Sequence, residues 1–371
     1  MANDLSLTPA MGLEVQLCGD AHLGNFGGYA TAERSLVFDL NDFDETLPGP
    51  WEWDLKRLVV SAVVLGLDIG FRASACRHAA IAAARAYRKA MHEFAGGPYL
   101  DLWFATLDAR SAVAAYAGDS TTLESAFAKG RLRTHQSTLP TLIDTRGNRR
   151  CFREDPPLIS RRAPELRRHL DEALAAYRRS LPADRALLFD RYTPIDVARK
   201  AVGVASIGLR CYVIYLEGQN DDDPLFLQLK EARESILEPH LRKSPFASHG
   251  RRIVAGQLIM QAASDPLLGW TSFANNHFYA RQLRDMKTTV PLDQFAANGL
   301  RAYVALCARV LARAHSASGD AAQIAGYLGH GDRFDRALAD FAETYAGQVQ
   351  RDFRSLREAI GKGTIRAVCD E

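Results

Sequence analysis

Two short stretches near the start of the chain hold residues that could do chemistry. Gly19-Asp20-Ala21-His22-Leu23-Gly24-Asn25 and Phe38-Asp39-Leu40-Asn41-Asp42-Phe43-Asp44-Glu45 set carboxylates and carboxamides close together in two loops. An Asp, an Asn five residues on, and further Asp residues beyond an apolar strand can hold a divalent cation and still leave one carboxylate to take a proton. Phosphoryl transfer asks those two jobs of protein side chains. Asp20 is the candidate general base. Asn25, Asp42 and Asp39 are candidate magnesium ligands, since that ion uses one or two carboxylates and takes the rest of its shell from water and phosphate. Asp, Asn and Gly also dominate turns for local reasons. One such loop reads as a turn; two this close, each after a strand, read as a site.

The elements that must position these loops are legible in outline. Residues 13–17 alternate apolar and polar, as a half-buried strand does. Residues 36–38 form a second strand, stopped by Pro48-Gly49-Pro50, and helical spacing follows over 51–66 and 73–94. Residues 99–188 read as further helix, broken by the polar turn at 144–148 and by Pro156-Pro157. From Val197 the character changes to strand, with candidates at 211–216, 225–230, 253–261 and 277–286. Helices return at 300–315 and 334–360. This pattern predicts an α+β protein: a helical lobe with both loops at 1–196, a β-rich lobe at 197–290, and C-terminal helices at 291–371 that complete the first lobe.

Lys230 ends an apolar strand, a costly place for an ammonium unless it faces a cleft with an anionic partner. One hairpin earlier, the turn holding Gly203, Ser206 and Gly208 could offer backbone amides to phosphate oxygens. Turn, strand, hairpin and strand-borne Lys together are the parts of a nucleotide-gripping lobe.

Bulk properties narrow the class. A net charge of +2 argues for neither nucleic acid nor a membrane surface as partner. Eleven Lys/Arg against four acids between Lys129 and Arg168 read as a solvated connector, or as a dock for an anionic substrate. Six scattered cysteines without metal-ligand spacing fit a reducing compartment. The first residues lack a signal-peptide pattern and no apolar run is long enough to span a bilayer, so a cytoplasmic location is expected. Nothing in the composition sets the oligomeric state.

Gly19-Asp20-x-His22-x-x-Asn25 resembles the catalytic loop of aminoglycoside phosphotransferases, choline kinases and other protein-kinase-like enzymes, with Cys18 where those carry His. Asp42-Phe43-Asp44 resembles their magnesium-binding motif, and Trp53-Asp54-Leu55 the buried Asp-Leu that steadies the catalytic loop. More closely, GDAHLGNFG, FDLNDFDET, PWEWDLKRL, VGVASIGLRCYV, LFLQLKEA, GQLIMQAASDPLLGW, FYARQLRDMK and LARAHSASGD are similar to the bacterial domain-of-unknown-function 2252 family across most of the chain. The resemblance implies a bilobal kinase-like fold that is circularly permuted, because Lys230 and the glycine turn follow the catalytic loop instead of preceding it. Residues 300–315 would then be the helix that leads into that loop, and a family segment ahead of residue 1, with an arginine-glycine element, is expected to be missing.

It further implies a Mg- and ATP-dependent phosphotransferase acting on a small-molecule or protein hydroxyl. Lys230 would hold the α- and β-phosphates, anchored by an acid such as Glu234 or Glu238, with adenine near 281–286, including Gln282 and Asp285. Rival readings are a non-catalytic nucleotide-binding pseudokinase, AMP transfer on the same fold, and a metallophosphoesterase built on Asp20-Ala21-His22.

Overall fold

The computed structural model describes residues 1–116, 120–147, 149–201, 208–283 and 286–365. A short helix α1 (Ala2–Ser6) precedes β1 (Glu14–Leu17), and a 3-10 turn (Leu23–Asn25) runs into β2 (Phe26–Ala30), β3 (Leu36–Leu40) and β4 (Leu47–Pro50). β1 pairs antiparallel with β4, and β2 with β3, so the two acidic loops emerge from neighbouring strands. Helices α2 (Glu52–Asp68) and α3 (Ala73–Ala95) follow. In α2, Leu55, Leu58, Val59, Ala62 and Val63 recur at helical spacing and are buried. The buried face of α3 is largely alanine, which lets neighbouring helices approach closely. Trp51, ahead of α2, stacks on Tyr87 of α3 with ring centroids 5.6 Å apart.

The middle of the chain holds α4 (Tyr99–Phe104), α5 (Ala109–Ala115), α6 (Thr121–Arg131) and α7 (His135–Leu142), then a hairpin of β5 (Ile143–Arg146) and β6 (Arg149–Phe152). β7 (Ile159–Ser160), α8 (Pro164–Arg168), α9 (Leu170–Ser180) and α10 (Ala183–Phe189) lead to β8 (Thr193–Lys200), β9 (Cys211–Glu217) and β10 (Pro224–Ala232). α11 (His249–Met260), β11 (Gly269–Phe273) and β12 (Asn276–Gln282) complete the block. Its antiparallel sheet has the order β11-β12-β10-β9-β8-β7, with the Lys230 strand in the interior. The expected strand at 253–261 is instead helix: Ile253, Val254, Gln257 and Met260 bury one face at a period near 3.6, and Ser248 caps its start.

The lobe boundary also shifts from the expected one. Leu166, Leu174, Tyr177 and Phe189 share a core with one face of the sheet, and Leu142, Ile143 and Phe152 share one with the other. The chain from about residue 139 to 196 therefore packs with the sheet and not with the helices of the opening lobe. A chain of alternating short helices and strands has too little apolar face of its own, and the sheet supplies the missing partner.

After β13 (Thr288–Thr289), which pairs with β2, come α12 (Ala297–Ser316), α13 (Ala321–Leu328) and α14 (Arg333–Gly361). These pack with α2, α3 and β1–β4 in the largest core. The structure is thus α+β, with antiparallel sheets against a helical part. Among the described residues no helix is long and apolar enough to cross a membrane.

Gly250 brings α11 onto β12 so closely that a methyl group built there would overlap the Phe278 carbonyl. Gly250→Ala is expected to cost about 1–3 kcal/mol through this overpacking. Chemical denaturation should show the loss as a lower midpoint; an unchanged midpoint would mean that the helix can move away freely.

Candidate active site

Asp54, one turn into α2, holds the first loop in place. Its carboxylate accepts hydrogen bonds from the backbone N–H of Cys18 at 2.8 Å and of Gly19 at 3.1 Å. His315, at the end of α12, reaches the same carboxylate at 3.4 Å and is held on its other nitrogen by Tyr87 at 2.8 Å. Gly19 takes a φ of +89°, and any side chain there would overlap the Glu45 backbone. Glycine thus lets the two loops touch. Burial, followed by the charge of Asp54, pushes the Cys18 thiol up, so that residue is a neutral neighbour of the loop.

Asp20 projects half-exposed into a cleft. Arg57 of α2 donates to its Oδ1 at 2.6 Å, and His22 lies 3.7 Å from its Oδ2. His22 braces the loop, its Nδ1 accepting from Gly24 N–H at 3.1 Å. Asn25 donates its amide to the Asp20 carbonyl at 2.8 Å, which directs the amide oxygen away; that oxygen has no hydrogen-bond partner among the described residues. The Asn25 carbonyl also accepts from Asn41 N–H at 2.9 Å, tying the first loop to the second.

The second loop meets the sheet. Lys230 of β10 donates to Asp44 Oδ2, across 186 residues of sequence. Burial opposes the charge on Lys230, but Tyr279, Asp44 and Asp42 outweigh it and raise its pKa. Burial alone would also raise Asp42; Lys230 and then Arg281 reverse that and hold it below the usual carboxylate range. Asp44 is raised by burial and by the charge of Asp42 beside it. Two carboxylates this close resist ionising together, so their environments set them apart. Arg252 of α11 donates to the carbonyls of Thr46, Asp44 and Arg233, clamping the acidic loop against the sheet. The cleft between them is open to solvent on one side and is lined by Asp20, Asp42, Asp44, Glu45, Leu209 and Arg233 among others.

Several expected positions are not brought here. Asp39 is buried in a separate cleft with Phe94, Arg309 and Arg313, where Tyr29 is its hydroxyl neighbour at 3.5 Å. It sits within β3, and its side chain leaves the sheet away from Asp42. Glu238 lies 4.0 Å from Arg252, and Lys230 is held by Asp44 instead of Glu234 or Glu238. Glu231 and Glu234 do line the cleft, but Glu231 pairs with Arg210 and Arg233 and not with Lys230. Gln282 lines a neighbouring cavity, its side chain engaged by His135 and Asp265. Gly208 lies at the start of the β9 approach, next to Leu209 of the cleft wall; Gly203, Ser206 and Asp285 lie outside the described residues. Arg57, Asp44, Arg281 and Lys287 were not singled out from sequence. The one available signal was the position of Arg57, one turn after Asp54 on the same helix face.

Magnesium fits this set in part. Asp44 Oδ1 is buried and without a partner, and the free Asn25 oxygen is a second hard donor. Among the described residues no three His, Cys, Asp or Glu side chains group to hold a metal alone. Such a set suits an ion completed by phosphate and water, and offers no ligand shell for two-metal ester hydrolysis.

An antiparallel sheet delivering a cation onto the acidic loops beside a helical layer defines the class: an α+β protein with a charged cleft. The chain belongs to the family described as Uncharacterized protein conserved in bacteria (DUF2252), whose model matches residues 1–359. No curated protein and no solved structure matches it.

Burial pushes the Asp39 carboxyl up to about 6, against the pull of Arg313. Its contribution to stability is therefore complete below about pH 4 and is lost as the pH rises through about 6. Asp39→Asn removes that loss. The stability of the variant relative to the parent should rise by about 3 kcal/mol between pH 4 and pH 8. Urea melts at both pH values check this, and a difference that does not change with pH would refute it.

Proposed function

We propose that the chain is a Mg- and ATP-dependent phosphotransferase of the kinase-like type, a circular permutation of that arrangement, acting on a hydroxyl acceptor. One observation carries the reading: Lys230 meets Asp44, which together with Asp42 and Asp20 lines one cleft. Permutation is favoured by a second contact. Gln16 N–H of β1 donates to Ser318 Oγ at 2.8 Å, so the end of α12 adjoins the strand that delivers the Asp20 loop. Joining ends that already touch costs little.

In this reading Lys230 exchanges Asp44 for the α- and β-phosphates. Asn25, Asp42 and Asp44 would hold magnesium, which when bound neutralises charge on the phosphates. Asp20 accepts the proton of the acceptor hydroxyl while that oxygen bonds to the γ-phosphorus and the bond to the leaving ADP breaks. Arg57 fixes Asp20 Oδ1 and leaves Oδ2 to face the acceptor. The cleft wall is richer in carboxylates than in cations, and the Arg-rich segment that suggested an acidic acceptor contributes none of the lining residues named above.

Magnesium-dependent ATP binding, followed by mass spectrometry of the nucleotide product, tests the proposal. ADP is the expected product, and Asp20→Asn should keep ATP binding while turnover falls about 10²–10⁴-fold. AMP retained on protein would replace phosphoryl by nucleotidyl transfer, binding without turnover would leave a pseudokinase, and no nucleotide binding would overturn the reading.

A further inference from the structure

The face of the sheet that carries Lys230 carries a second cation beside it. Arg281 stands opposite Gln228 in the β10–β12 register, two pairs along from Lys230 and Tyr279 and therefore on the same face. Its Nε donates to Gln228 Oε1 at 3.2 Å, its Nη1 to the Asn41 carbonyl at 3.3 Å, and its guanidinium lies 5.5 Å from the Tyr279 ring centre. Those contacts lock the side chain but leave Nη2 without a partner among the described residues. Lys287, just ahead of β13, lines the same small, partly open cavity as Arg281, together with Asn41, Gln257 and Gln261. Its ammonium has no hydrogen bond or ion pair among the described residues. The one carboxylate in the lining, Asp265, is engaged by the backbone and side chain of Gln282 at 2.6 and 2.8 Å.

Two cations directed into one cavity repel each other. The charge of Arg281, and then burial, push Lys287 down to about 7. Of the two nearby carboxylates that offset this charge, Asp44 is already engaged by Lys230. An arrangement this unfavourable in the free protein is what a site for an anion looks like before the anion arrives.

We propose that Arg281 and Lys287 form a phosphate subsite in the cavity neighbouring the cleft, on the sheet face that also carries Lys230, which takes a further phosphate group of a polyphosphate-bearing ligand. The inference deepens the nucleotide reading and rests on it for the identity of that ligand, a nucleoside triphosphate. The geometry assigns Arg281 the fixed, oriented donor, and Lys287 the mobile charge that closes on the anion.

The test uses the full chain and isothermal titration with two probes, inorganic tripolyphosphate and ATP, each with magnesium. Lys287→Met should weaken both at least tenfold, and Lys287→Arg should restore both to within about threefold of the parent. Because the substitution removes a repelled cation, the melting temperature of Lys287→Met should be no lower than that of the parent, separating lost binding from lost folding. Unchanged tripolyphosphate affinity in Lys287→Met, or no tripolyphosphate binding by the parent, overturns the subsite. If the parent binds tripolyphosphate through Lys287 but not ATP, the subsite stands and the nucleotide reading falls. ATP binding that ignores Lys287 has the opposite consequence.

Discussion

A buried ammonium needs an anion, and that need joins the two halves of this molecule. Lys230 lies on an interior strand, so it cannot reach water by a rotamer change. The anion it finds, Asp44, belongs to a loop that is itself too crowded with carboxylates to be stable without a cation. Neither half satisfies its charges alone. The Arg252 guanidinium reinforces the contact by collecting three carbonyls from both sides of the junction.

Behind the cleft, a different set of interactions keeps the first loop rigid. Asp54 receives two backbone N–H groups and His315, and His315 is fixed by Tyr87. Three helices distant in sequence therefore set the position of Asp20 to within the tolerance of a few hydrogen bonds. The general base proposed at Asp20 would need that restraint, because proton transfer depends on geometry before it depends on basicity. Arg57 adds an orienting contact from the same helix that supplies Asp54.

Charge is distributed unevenly across the site. The cleft that holds Asp20 is acidic, and the neighbouring cavity beside β13 holds Arg281 and Lys287 with a carboxylate already in use. Such a gradient suits a ligand with an anionic end and a metal ion at its middle. Asp39, although only three residues from Asp42, is excluded because β3 continues through it and sends its side chain to another cleft.

Much of this was readable from local pattern. Residues 14–17 and 36–40 alternate or run apolar as strands do, the first loop has its glycines where its turns fall, and α2, α3, α12 and α14 carry their buried faces at helical spacing. α11 was not readable that way, since a run such as Ile253-Val254-Ala255-Gly256-Gln257-Leu258-Ile259 satisfies strand propensity as well as a buried helix face, and packing against β11 and β12 decides. The sequence by itself determined which residues can carry charge, bind an ion or move a proton, because those are properties of side chains and their nearest neighbours. Only the tertiary structure decided that Lys230 meets Asp44 and neither Glu234 nor Glu238, that Asp39 stands apart, and that Lys287 joins Arg281. The Lys230–Asp44 contact joins a strand and a loop 186 residues apart, and long-range burial, to which local spacing is blind, selects it.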